Sequence, residues 1–151
     1  MRVYLDVSCL NRPFDDQSQM RIRLEAEAVL LILERVDVGE YSQVSSEVAV
    51  LEIDAMRDVD RRARVRMLLP DQRDMLDLTP ELYGRAAALQ KLGFKAADAL
   101  HIAAAEEAAA DVFLSCDDRL CRLAKRRRSE LRVQVANPLA WLKDQDHASN
   151  P

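Results

Sequence analysis

Apolar positions fall into two kinds of run along this chain. Val3-Tyr4-Leu5 and Val112-Phe113-Leu114 are short and unbroken, while longer segments repeat their apolar residues every three or four positions. The first kind predicts strands buried on both faces and the second amphipathic helices. In order, the pattern predicts a strand ending at Asp6, a polar loop over 11–20, and a helix over 21–36. That helix carries Leu24, Ala28, Leu31 and Ile32 on one face and is closed by Gly39. A second strand over 41–44 leads to Ser45 or Ser46, an N-cap for a helix over 46–58. An Arg-rich helix ends near Pro70, and Leu76 to Leu78 forms a short strand. Thr79-Pro80-Glu81 then reads as cap, first-turn proline and first-turn acid of a helix through Leu92, stopped by Gly93. The Ala-rich stretch 95–110 predicts a buried helix that approaches the sheet closely. The strand at 112–114, a helix over 119–127, a strand around Val133 and Val135, and a short helix from Asn137-Pro138 complete the order. Alternating strands and helices predict a three-layer α/β/α sandwich with a mostly parallel central sheet and right-handed crossovers. One domain is expected over 1–143, followed by a polar, frayed tail over 144–151.

Composition narrows the class. Hydrophobic residues make up 49% and charged residues 32% of 151 positions, as in a globular domain with a sizeable core. No apolar run approaches the ~20 residues of a membrane span, and the N-terminus lacks the basic and apolar regions of a secretory signal. Cys9, Cys116 and Cys121 are odd in number and without C-x-x-C spacing, which predicts reduced thiols and a cytoplasmic location. Two histidines leave few ligands for zinc. The net charge of −4 argues against binding nucleic acid by bulk charge. Two basic clusters, Arg57 to Arg66 and Lys125 to Arg128, read either as solvated helix faces or as phosphate contacts.

The chemistry lies in four acids. Asp6 and Asp117 end buried strands, where ligands bind in open parallel sheets. Glu52 shares an apolar helix face with Val48, Leu51 and Ala55, whereas Glu47, Asp54 and Asp58 fall on the polar side. Asp98 shares a face with Ile102, Ala105 and Ala109. Clustered carboxylates repel one another and are costly to desolvate unless some protonate or a cation joins them. Oxygen ligands suit Mg²⁺ or Mn²⁺, and the chemistry that follows is hydrolysis of a phosphodiester by a metal-activated water. Each acid also has an ordinary structural reading; Asp117 or Asp118 in particular reads as the N-cap of the helix that follows. Arg12, in the loop after the first strand, lies near enough to the expected pocket to touch an RNA phosphate.

Four pieces together resemble the PIN domain family, the fold of many toxin ribonucleases of toxin–antitoxin pairs. They are Leu5-Asp6-Val7-Ser8, Ser46 through Leu51-Glu52, Ala97-Asp98-Ala99-Leu100-His101-Ile102-Ala103, and Leu114-Ser115-Cys116-Asp117-Asp118-Arg119-Leu120. Their order and spacing cover residues 3 to about 136. The resemblance implies a PIN-like fold and a metal-dependent endoribonuclease. Asp6, Glu52, Asp98 and Asp117 would be both catalytic residues and ligands of Mg²⁺ or Mn²⁺. It implies supporting roles for Ser8, which stands where the family's small hydroxyl supports the first acid, for Ser115, and for Asp118 beside the last acid. Val7 and Ser115 stand where family members often have Thr. The resemblance also implies an RNA substrate, an antitoxin partner and a homodimer, with the helices over 21–36 and 46–58 as candidate partner surfaces. The alternative is a non-catalytic PIN-fold module that uses the acidic pocket structurally or for a protein partner. A phosphatase with an aspartate nucleophile fits less well, because Ser8 stands where its D-x-D-x-T motif needs an acid. A receiver module fits less well because Val7 replaces an adjacent acid and the late Lys is missing.

Overall fold

The computed structural model describes residues 1–149. Five strands form one parallel sheet in the order β3-β2-β1-β4-β5: β1 (Arg2–Leu5), β2 (Ser42–Ser46), β3 (Met75–Leu76), β4 (Val112–Leu114) and β5 (Gln134–Ala136). The helices are α1 (Val7–Asn11), α2 (Met20–Asp37), α3 (Glu47–Asp54), α4 (Val59–Arg66), α5 (Pro80–Lys91), α6 (Ala96–Glu107), α7 (Asp118–Arg126) and α8 (Pro138–Ser149).

Alternation along the central strands explains the layers. Val3 and Leu5 point to one face of the sheet with Val112 and Leu114, and Tyr4 and Phe113 point to the other. On the first face α1, α2, α3, α4 and α8 supply residues such as Ile32, Ile53, Val65 and Trp141; on the second α5, α6 and α7 supply Leu89, Ile102 and Leu120. The alanines of α6 do what small side chains allow: Ala99, Ala103, Ala104 and Ala105 are all buried, so the helix lies close on its neighbours.

Strand order reverses at β1. The chain runs outward through β2 and β3 on one side, then crosses to place β4 on the other. The C-terminal ends of β1 and β4 therefore flank the switch point, where a crevice opens in sheets of this type.

The elements depart from the sequence pattern in a few places. Helix α1 begins immediately after Asp6, and a short turn of 3₁₀ helix spans Arg12–Phe14 inside the segment expected to be loop. Helix α3 stops at Asp54, and Leu51 is 61% exposed; the buried stripe is Val48, Ala49 and Ile53, with Glu52 between Val48 and Ala49 by helical angle. Helix α6 stops at Glu107 because Ala109 adopts φ 53, outside the helical region. The expected polar tail from Asp144 continues as helix to Ser149, steadied by a contact between Asp146 and Arg35 at 3.4 Å. Residues 150–151 of that tail lie outside the described residues.

Candidate active site

Asp6 stands at the end of β1 with its backbone N–H bonded to the Leu114 carbonyl at 2.9 Å, so the sheet itself fixes its position. It is a buried carboxylate at 6% exposure. Two hydroxyls meet one of its oxygens: Ser115 Oγ donates to Oδ2 at 2.7 Å and Ser8 Oγ at 2.9 Å. The other oxygen, Oδ1, has no hydroxyl partner and lies 3.9 Å from His101 Nε2. The same serines also accept from the β4–α7 turn, Ser8 Oγ from the Cys116 N–H and Ser115 Oγ from the Asp117 N–H, each at 3.1 Å. Asp6 is thus tied through two hydroxyls to the backbone that carries Asp117.

Glu52 reaches the crevice from α3. Its Oε1 lies 2.9 Å from His101 Nε2. A carboxylate only accepts, so Nε2 carries the hydrogen and is an anchor for Glu52 rather than a free lone pair. His101 is wholly buried, and its Nδ1 lies 2.7 Å from the Tyr4 hydroxyl, which lies 2.6 Å from Ser46 Oγ. A chain of buried hydrogen bonds therefore runs from β2 through β1 and α6 to Glu52. Burial alone would lower the basicity of His101; the Glu52 hydrogen bond and the charges of Asp6, Glu52 and Asp98 outweigh it and hold its pKa above the ordinary value. Burial also pushes the Tyr4 hydroxyl well above its usual range, so it remains protonated.

Asp98 occupies the first turn of α6. Its pKa is raised to about 6, first by burial, then by the negative charges of Asp6 and Asp117; His101 opposes the rise and Glu52 adds to it. Asp98 therefore lies within the electrostatic reach of the other three acids. Asp98 and Asp117 line one small pocket together with Gly93, Phe94, Lys95 and Arg119.

The sequence left the cap of α7 open between Asp117 and Asp118. Asp117 is the cap: its Oδ1 accepts from the Leu120 N–H at 3.2 Å. Asp118 turns outward to pair with Arg21, which holds its carboxyl below the usual range. Arg12 is engaged by Glu25 at 2.9 Å and Asp15 at 3.1 Å.

Three groups were not singled out as site residues by the sequence reading. His101 lies three residues after Asp98 and so on the same side of α6, a spacing that could have marked it. Tyr4 looks like any strand aromatic, and only the fold puts its hydroxyl under the site. Glu25, a buried residue of α2 at 1% exposure, gathers Arg12, Arg21 and Asn137 around it. Leu24 and Ala28 flank it in the pattern, and nothing local distinguishes it from a surface acid.

The donor set can be tested against a cation. Ligand atoms of Asp6, Glu52 and His101 lie within 4.8 Å of one another, close enough to share one ion. Two carboxylates fit a hard divalent cation, and Asp6 Oδ1 is the oxygen left over by the serines. The residues therefore fit a divalent metal held through Asp6 and Glu52, with His101 orienting the latter.

A model of the PIN domain family matches residues 3–126. No curated protein matches the chain.

Proposed function

The chain belongs to the PIN domain family, a family of nucleases, and from that premise we propose that it is a Mg²⁺- or Mn²⁺-dependent endoribonuclease. The observation that carries this reading is that Asp6 and Glu52 bring carboxylate oxygens close enough to share one ion beside the switch point of the sheet, with one oxygen of Asp6 left free of hydroxyl donors. Asp6 and Glu52 would hold the cation, and Asp98 and Asp117 would complete its surroundings. When bound, the cation supplies the positive charge that lowers the pKa of an attacking water and stabilises charge on the phosphodiester.

The protein's own groups do the remaining work. Ser8 and Ser115 pin one oxygen of Asp6 and aim the other into the crevice. His101 Nε2 donates to Glu52 and fixes its rotamer, and Tyr4 fixes His101. Asp117 is held by the turn it caps. Such fixed carboxylates reduce the reorganisation that a loosely held site would need.

We assign the nuclease the role of toxin in a toxin–antitoxin pair, as a cytoplasmic homodimer blocked by an antitoxin segment over the pocket. The absence among the described residues of any helix long and apolar enough to cross a membrane is consistent with that reading. Exposed apolar side chains on the helices expected to meet a partner also support it: Met20, Leu24 and Leu30 on α2 and Leu51 on α3.

The test is cleavage of an end-labelled single-stranded RNA with Mg²⁺, Mn²⁺ or EDTA. Internal fragments should form with either ion and not with EDTA. Cleavage that persists in EDTA, or DNA cut in preference to RNA, would refute the assignment. The toxin role predicts that expression arrests growth and that Asp6→Asn restores it; arrest by that variant would count against the role.

A further inference from the structure

Several arginines are neutralised by the protein itself. Arg12 is held by Asp15 and Glu25, and Arg21 by Asp118 and Glu25. In the basic cluster of α4, Arg61 is held by Asp15 and Arg66 by Asp54. Helix α7 differs. Arg119, Arg122 and Arg126 are exposed, and among the described residues none of them has a carboxylate within ion-pair distance; the same is true of Lys95 at the start of α6.

Spacing makes these residues a line. Positions 119, 122 and 126 recur every three to four residues and share one face of α7, while Leu120 and Ala124 turn into the core. The line begins at the site, since Arg119 and Lys95 line the same small pocket as Asp98 and Asp117. Leu123, on the same face as the arginines, also lines that pocket, so the stripe turns toward the crevice. It runs about 10 Å along the helix from Arg119 to Arg126. In a chain of net charge −4, unpaired cations next to unpaired acids have a physical use. They attract an anion that the acids alone would repel.

We propose that Lys95, Arg119, Arg122 and Arg126 bind the phosphates of the RNA strand and lead it into the crevice. This rests on the nuclease reading above. Lys95 and Arg119 contact the phosphates nearest the acids, and Arg122 and Arg126 contact those that follow along the strand. Contacts of this kind give affinity and salt dependence without base preference.

The test combines binding and cleavage. A short fluorescein-labelled single-stranded RNA of mixed sequence is titrated in EDTA with wild type, with the triple variant Arg119→Ala/Arg122→Ala/Arg126→Ala, and with a control, Arg57→Ala/Arg64→Ala. The triple variant should bind ~10- to 100-fold more weakly at moderate salt, and the slope of log affinity against log salt should fall by ~2, since each single-strand phosphate contact releases ~0.7 counterion. In cleavage it should raise KM more than it lowers kcat, and Arg→Lys replacements should restore much of the binding. The control should bind as wild type does. Unchanged affinity and salt slope in the triple variant would overturn the proposal, even if wild type cuts RNA. If wild type binds RNA through α7 but cuts nothing with either metal, the phosphate track stands and the nuclease reading falls.

Discussion

Replacing Tyr4 with Phe removes one oxygen from the chain of hydrogen bonds beneath Glu52. The hydroxyl lies 2.6 Å from Ser46 Oγ and 2.7 Å from His101 Nδ1, and all three residues are buried. The ring itself stays packed, 5.3 Å from Phe113 and 5.6 Å from His101 between centroids, so the variant opens no cavity beyond the lost oxygen. Its cost is that of leaving two buried polar groups without their partner. Each such group costs about 1–3 kcal/mol, and Ser46 can recover part of this by rotating, so the loss should be ~2–3 kcal/mol. For a chain of this size that lowers Tm by roughly 4–12 °C. Thermal melts and urea unfolding measure it directly. His101 keeps its bond to Glu52 but loses its own anchor, so RNA cleavage should fall while the Kd for Mn²⁺ changes by less than cleavage does. A Tm within about 1 °C of wild type would refute the reasoning, because it would mean the buried relay contributes nothing.

Asp98→Asn should abolish cleavage yet stabilise the metal-free protein, since it removes a carboxyl held above its ordinary pKa by burial and by Asp6 and Asp117. After allowance for its partial exposure the gain should be ~1–2 kcal/mol at neutral pH, read by urea unfolding. The same group sets a pH dependence. Its pKa of about 6 lies above the unfolded value of 3.8, so its favourable contribution is complete below pH 3.8 and is lost as pH rises through 6. Divalent metal should therefore raise Tm more above that window than below it, which melts with and without Mn²⁺ on either side of pH 6 will check. Glu25→Ala should leave Arg12 and Arg21 without their shared buried partner and destabilise the fold by about 2–3 kcal/mol, less than a fully buried pair because both arginines reach solvent. Chemical denaturation of that variant checks it, and a loss below experimental error would show that the ion-pair node is not structural.

How far the site could be read from sequence follows from where each signal is stored. Asp6 and Asp117 stood out because short unbroken apolar runs mark the ends of buried strands, and a carboxylate at such an end is conspicuous. Glu52 stood out for lying on an apolar stripe. Its face-mate Leu51 proved exposed, but the structure puts Glu52 nearer the middle of the buried face than the pattern had suggested. The cap of α7 could not be chosen between neighbouring acids, because adjacent residues differ only in backbone dihedral at the turn. The helix over Asp144 to Ser149 was hidden by its polarity, which depends on a distant contact with Arg35. Tyr4, His101 and Glu25 carry roles that exist only after β1, α2 and α6 are brought together, since their partners lie 42, 97 and 112 residues away in sequence.

The most direct test of the account is a calorimetric titration of Mn²⁺ into the purified chain and into Asp6→Asn, with RNA cleavage followed on the same samples. Wild type should bind the ion and cut RNA in proportion to its occupancy, and the variant should fold but do neither. Wild-type cleavage by Asp6→Asn, or cleavage with no detectable dependence on a divalent ion, would contradict the account.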